Sequence, residues 1–431
     1  TVNVLADNDA DLDAITLGGT AAGNFSLGGS ISINEIGGTL EARVMGNATV
    51  NASTKLRVAA DDDTLIVAVS GQATITTGSG AAIGAAVSKN LISRSVFATL
   101  NGPTVTSPTV ELAAFSNGDI DAFAVGGSGA QNFALGGSVV LNAFTVTVEC
   151  RILGGSTVTA NTALTLTALE DSTIRALSGA VAIANQAAIG AAVATNDIAN
   201  TVRTSIANGN LAKNITVGSL TMSATSDSTI TIITVGGSGA GTFAAGGAVA
   251  LNDISNTVDS HVSSNSRVIL NGAMTATAND TPLIQALSGG IAVAGTAAIG
   301  ASLATNDIGG TTATSISGST FTGSGSIAMT STSNPEIESL TVGGSGAGTF
   351  AAGGAVSLND IHHTTDSHIS GNANIGINGS ITAKATDGSN IKGLAGAVAG
   401  AGGGAIGASI ATNNIGNTIT AYVSGSTVDS N

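Results

Sequence analysis

Eight asparagines recur along this chain at intervals of 52 to 56 residues: Asn34, Asn90, Asn142, Asn196, Asn252, Asn306, Asn359 and Asn413. Each closes an Ala/Gly-rich apolar run, as in AGGAVALN ending at Asn252. A second marker keeps the same beat: an alternating, strand-like segment begins near Val2, Leu56, Val110, Leu164, Leu220, Met274, Ile327 and Ile381. A fixed period of this length is the signature of an array in which each unit buries its apolar surface against the next. Function should therefore belong to the array and not to one special residue.

Composition narrows what the array is made of. There are 60 Gly, no Trp, one Tyr and 9% charged residues, so bulky cores of the usual kind cannot be built. Disorder is disfavoured, because it goes with low hydrophobicity and high charge or proline, whereas 43% of this chain is hydrophobic and only four prolines occur. Sheets packed through small residues fit these constraints. The single cysteine, Cys150, excludes an intramolecular disulfide and reads as a small buried residue. A net charge of −15 disfavours nucleic acid, which needs a Lys/Arg face for its phosphates. The uncharged run from Ser178 to Ala194 contains Gly, Ser, Asn and Gln and falls short of the roughly 20 apolar residues of a span, so no transmembrane segment is expected. No signal peptide is recognisable at Thr1 and no anchor at the C-terminus.

The units alternate between two types, giving four repeats of about 108 residues, or eight half-repeats of about 54. One type carries a phenylalanine flanked by glycine pairs, at Phe25, Phe133, Phe243 and Phe350; the other has isoleucine in its place, at Ile83, Ile189, Ile299 and Ile406. As the largest residues of the motif, these eight are expected to form the repeat core. Period-two segments such as ALTLTA from Ala163, and Asn-Gly pairs at Asn101, Asn117, Asn208, Asn271 and Asn378, read as strands and turns. Helix is the competing reading for the Ala-rich runs, but each interior Gly costs a helix about 1 kcal/mol. The expected fold class is all-β: a parallel β-helix (β-solenoid) repeat array forming an elongated rod, one continuous solenoid over residues 1–431. Two or three coils per half-repeat would give a rod of roughly 75–115 Å at about 4.8 Å per coil, and a single wide coil a shorter, flatter one. The last and first residues join in register, placing an asparagine of a following copy 52 residues beyond Asn413. This suggests a segment of a longer array, or copies stacking end to end.

Asparagine suits a solenoid corner, since it tolerates left-handed backbone and its amide both donates and accepts. The eight are expected to form a structural ladder that fixes register. Asp7, Asp9, Asp11 and Asp13 resemble the opening of a calcium loop, but Leu12 stands where glycine is needed and no terminal glutamate follows. An exposed acidic turn is the default, with Asp61, Asp62 and Asp63 at the matching place in the next unit. Calcium is the one cofactor weighed. His261 and His368 share a repeat position and His362 adjoins His363; without further ligands they read as solvated strand residues. No nucleophile elbow or phosphate loop is present, and four histidines and one tyrosine at scattered positions do not suggest an enzyme.

The motifs ALSGAVAIANQAAIGAAVATNDI (residues 176–198) and TVGGSGAGTFAAGGAVALNDI (residues 234–254) resemble repeats of very large secreted bacterial proteins of the filamentous-haemagglutinin and autotransporter-adhesin type. The resemblance implies a parallel β-helix exported to the cell surface or medium and used in attachment, aggregation or fibre building. On that reading the chain is a structural shaft, its partners are further copies of itself, other cells or extracellular polysaccharide, and it acts by rigid extension and end-to-end or lateral association. The alternative is a flat Ser/Thr face that binds carbohydrate or ice. The triplets TLT, TMS and TAT look too variable for the regular Thr-x-Thr ranks that ice would require.

Overall fold

A computed structural model describes residues 1–430. It is an all-β parallel solenoid in which every sheet pairing is parallel and each strand pairs with its counterpart one half-repeat later. Each half-repeat makes one wide coil rather than two or three, which is the shorter, flatter alternative, so this stretch of chain is not by itself the elongated rod expected. The first coil runs out along Val2–Ala22, turns at Gly23 and Asn24, returns along Phe25–Met45, and closes through a short leg at Thr49–Asn51. Lys55–Thr76 then begins the next coil directly on top. The outgoing arms and short legs are hydrogen-bonded into one sheet and the returning arms into a second. Eight coils at about 4.8 Å make a stack of roughly 38 Å, while a 21-residue arm is roughly 70 Å long. The molecule is a broad, short blade.

The coil is wedge-shaped in section, and the sequence shows why. Near the turn that joins the two arms the inward residues are mostly Gly, Ala, Ser and Thr, with Gln72 in the second coil the large exception, and the sheets touch backbone to backbone. A Cβ on Gly236 would lie 1.8 Å from the carbonyl oxygen of Gly247, and one on Gly136 would lie 2.4 Å from that of Val181. Ala134, Ala182, Ala184 and Ala188 fill what space remains. Farther back the short leg props the arms apart, and Leu56, Leu112, Ile120, Phe144, Leu164 and Ile174 form a conventional aliphatic core. The Ala/Gly runs are therefore thin-edge strands, and the ALTLTA-type segments line the thick edge. Of the Asn-Gly pairs, that at Asn117 lies inside the strand Thr104–Ala130 and makes no turn.

The eight residues expected in the core face outward instead. Phe25, Phe350, Ile299 and Ile406 are 57%, 40%, 42% and 58% exposed, and Phe133, Phe243, Ile83 and Ile189 are half-buried against neighbouring coils. At the thin edge the interior is too narrow for them; the adjacent alanines, and Ser26 beside Phe25, take the inward positions. The strand parity is one residue off from the reading by size, which exchanges the two faces.

Candidate functional surfaces

The eight asparagines stand in one file. They lie in mid-strand on the returning arm, pointing inward, and not at corners. Each Nδ2 donates to the Oδ1 of the asparagine one coil on, from Asn34 through Asn90, Asn142, Asn196, Asn252, Asn306 and Asn359 to Asn413, over seven bonds of 2.7–2.8 Å. Asn34, Asn90 and Asn359 use their second N–H on Ser32, Ser88 and Ser357. Seven are buried, so the bonds are shielded from water; Asn413, in the last coil, is exposed. A slip of one residue would take every amide out of line.

A second buried polar column, which the periodicity alone does not reveal, lies toward the thick edge. At one level the outgoing arm contributes Asp62, Glu170, Ser226, Asp280 and Asp387, and the returning arm Arg94, Asn200, Asn256, His363 and Asn417. Arg94 donates to Asp62 at 2.5 Å, and Asn8 of the first coil donates to the same carboxylate at 2.8 Å. Asn200 and Ser226 donate to Glu170 at 2.8 and 2.7 Å, and Ser172 also bonds to it. Asn256 donates to Asp280 at 3.2 Å, and Asn417 to Asp387 at 2.8 Å. The sequence signal was an asparagine four residues after the ladder position, at Asn200, Asn256 and Asn417.

Burial governs the ionisation of three members of this column, Glu170, Asp280 and His363. It pushes Glu170 up to about 8 against hydrogen bonds from Ser226 and Ser228, and Asp280 up to about 7. His363, expected to be solvated, is only 1% exposed; burial lowers its basicity, and it bonds through Nδ1 to the carbonyl of Gly309 and through Nε2 to Thr312. Glu170 binds its proton more tightly folded than unfolded, so its contribution to stability is complete below about pH 4.5 and is lost as pH rises through about 8. We predict that thermal melts of the native chain fall between pH 5 and 9 by an amount on the order of a few kcal/mol. Glu170→Gln should flatten that slope, leaving a residual part from Asp280. Parallel slopes for the two proteins would show that Glu170 is not the titrating group.

The acidic segment of the first coil is strand and not turn. Asp7, Asp9, Asp11 and Asp13 alternate along Val2–Ala22, all exposed on the outer face. Alternate residues of one strand sit roughly 6.7 Å apart, so these four carboxylates cannot converge on one calcium ion. A tighter group lies on the returning arms, where Asp197, Asp253, Asp307 and Asp360 stack in register. Burial raises Asp253 and Asp307, with their neighbouring aspartates adding to the effect. The ligand atoms of Asp307, Asp360 and His362 come within 4.8 Å of one another, with His362 Nδ1 2.9 Å from Asp307. His261 and His368 each face an aspartate two residues back, Asp259 at 2.7 Å and Asp366 at 2.5 Å. Cys150 is buried, its thiol 3.1 Å from the Thr167 carbonyl and pushed well above the usual thiol range by burial.

Both outer faces of the thin edge are apolar and repeat every two coils. On the returning arms the file reads Phe25, Ala81, Phe133, Ala187, Phe243, Ala297, Phe350, Gly404. On the outgoing arms one file is aliphatic or aromatic in every coil, from Ile15, Val69 and Phe123 to Leu394. Beside it runs Leu17, Gly71, Val125, Gly179, Val235, Gly289, Val342, Gly396, large in odd coils and glycine in even ones. The file nearest the turn, Ala21, Ile75, Gly129, Ile183, Gly239, Val293, Gly346, Gly400, alternates in the opposite phase through the seventh coil. The two unit types of the sequence are thus two rows of a surface checkerboard. The thick edge carries a different rank, with Thr165 and Thr167, Thr221 and Ser223, and Thr275 and Thr277 exposed or half-exposed on three successive coils. The residues that vary within TLT, TMS and TAT, namely Leu166, Met222 and Ala276, all point inward.

No family model, curated protein or solved structure matches the chain.

Proposed function

We propose that this chain is the shaft of an extracellular fibre or giant cell-surface adhesin, acting by rigid extension and self-association. The observation that carries the reading is the asparagine ladder running through all eight coils without interruption. Each coil receives the next through the same bonds, 21, 21 and 3 residues in register between the first two, so an array of any number of coils grows by one rule. Bending such a stack means stretching one long row of backbone hydrogen bonds against another, which makes it stiff. The buried polar groups bond within a coil, as Asn200 does to Glu170, and between coils, as Ser226 does to Glu170. The acidic surface, net −15 for the chain, suits a solvated extracellular rod.

Cryo-electron microscopy of the native material, with antibody labelling of intact cells, tests this. Surface-labelled rods with an axial spacing of about 4.8 Å are expected. Labelling confined to the cell interior, or particles that never form rods, would overturn the reading.

A second reading rests on the threonine rank. Three coils present paired hydroxyls on a flat face, spaced roughly 4.8 Å along the axis and 6.7 Å across it, a lattice suited to polysaccharide or ice. Thr221→Lys should abolish retention on such a surface if the rank is the contact; unchanged retention removes it.

A further inference from the structure

The strand glycines of the thin edge fall into two groups, and only one is explained by the coil itself. Those pointing inward at the thin edge are required, because a Cβ there would strike the opposite sheet, as at Gly190, where it would lie 2.0 Å from the Gly237 carbonyl. Gly129, Gly239 and Gly346 point outward, and among the described residues nothing lies within 4 Å of where their Cβ would be. Glycine in a strand costs about 0.5–1 kcal/mol relative to alanine, and it marks places where another backbone or ligand approaches closely. Between these pits stand Ile75, Ile183 and Val293, 53%, 62% and 58% exposed. The face is a row of apolar knobs and pits repeating every two coils, roughly 9.6 Å.

We propose that this outer face of the outgoing arms is a self-complementary interface that takes a second copy of this chain, face to face and antiparallel. Turning a copy about an axis in the face and across the stack brings odd coils opposite even coils. Ile75 then stands over Gly346, Ile183 over Gly239, and Val293 over Gly129, each pairing occurring twice about the two-fold axis. The file with Gly19 in the first coil and Val398 in the eighth, and beyond it the file with Leu17 and Gly396, match in the same way. A second copy fits because it carries the same two-coil period along its whole length. The three alternating files over eight coils span roughly 20 by 38 Å, about 760 Å² per copy and about 1,500 Å² per pair, the size of a standard specific interface. The contact names the lateral association of the shaft proposed above and rests on that reading for its biological setting, though not for its geometry.

Sedimentation of the purified chain over a range of concentrations tests it. A dimer of twice the 41.1-kDa mass is expected, tightening as salt screens the repulsion between two acidic chains. Gly239→Ile fills a pit and sets isoleucine against Ile183, and should weaken the dimer at least tenfold while the monomer melt stays put. The double variant Gly239→Ile with Ile183→Gly exchanges knob for pit and should restore it. A chain that stays monomeric at all concentrations overturns the proposal. So does a dimer indifferent to Gly239→Ile, and so does a chain that floats instead with phosphatidylcholine vesicles, a binding that an added isoleucine would strengthen. Rods on cells built from a chain that is monomeric in solution would leave the shaft standing and remove this face as its contact.

Discussion

Gly236→Val is expected to be among the most damaging single changes in the molecule. The new Cβ would sit 1.8 Å from the Gly247 carbonyl oxygen and 2.9 Å from that of Gly190, and both are backbone atoms held in sheets that cannot yield separately. The two arms of the fifth coil would have to part by more than an ångström, opening the thin edge above and below. A loss on the order of 5 kcal/mol or more is expected, the range reached only when a core is overpacked or broken. Circular dichroism melts and hydrogen exchange of the fifth coil against the first would measure it. The same substitution at Gly239, three residues along and facing outward, meets nothing within 4 Å and should leave the melt nearly unchanged. Equal losses at the two sites would refute the backbone-contact account of the thin edge.

Asn196→Ala is expected to cost about 3–5 kcal/mol, far more than the single hydrogen bond an isolated asparagine would forfeit. Removing its amide takes away the acceptor of Asn142 and the donor to Asn252, both buried. Each orphaned group carries a desolvation penalty of about 1–3 kcal/mol. Asn413→Ala, at an exposed position with one ladder partner, should cost about 1 kcal/mol or less. A urea titration of both variants decides the matter. Similar small losses at both positions would mean that the interior bonds add no more than surface ones.

The period, the fold class and the alignment of the asparagines were legible because identical residues at a fixed spacing stack in a parallel array whatever its cross-section. What the spacing does not encode is which way a residue points. Phe25 and Ile83 look like core on size alone, yet the inward path at that level is set by the width available, and Ser26 and Ala82 occupy it. The same parity hid the threonine rank, whose irregularity lies in the buried Leu166, Met222 and Ala276. Coil number was illegible because the sharp turn at Gly23 and Asn24 and the closing turn near Gly46 carry similar residues, so nothing local distinguishes a hairpin-like bend from a corner. Glu170 and Asp280 could be placed inside only once the register joined them to Asn200 and Asn256 across the coil.

The amide file also gives the stack a direction. Every side-chain bond in it donates toward the later coil, so the small dipoles add where those of the backbone ladder alternate and cancel. One end of the file offers a carbonyl oxygen at Asn34, the other an N–H at Asn413. A coil joining the first end must bring a donor and one joining the second an acceptor; serine could serve either, aspartate only the second, lysine only the first. Head and tail of the file are chemically distinct, so the array carries an arrow.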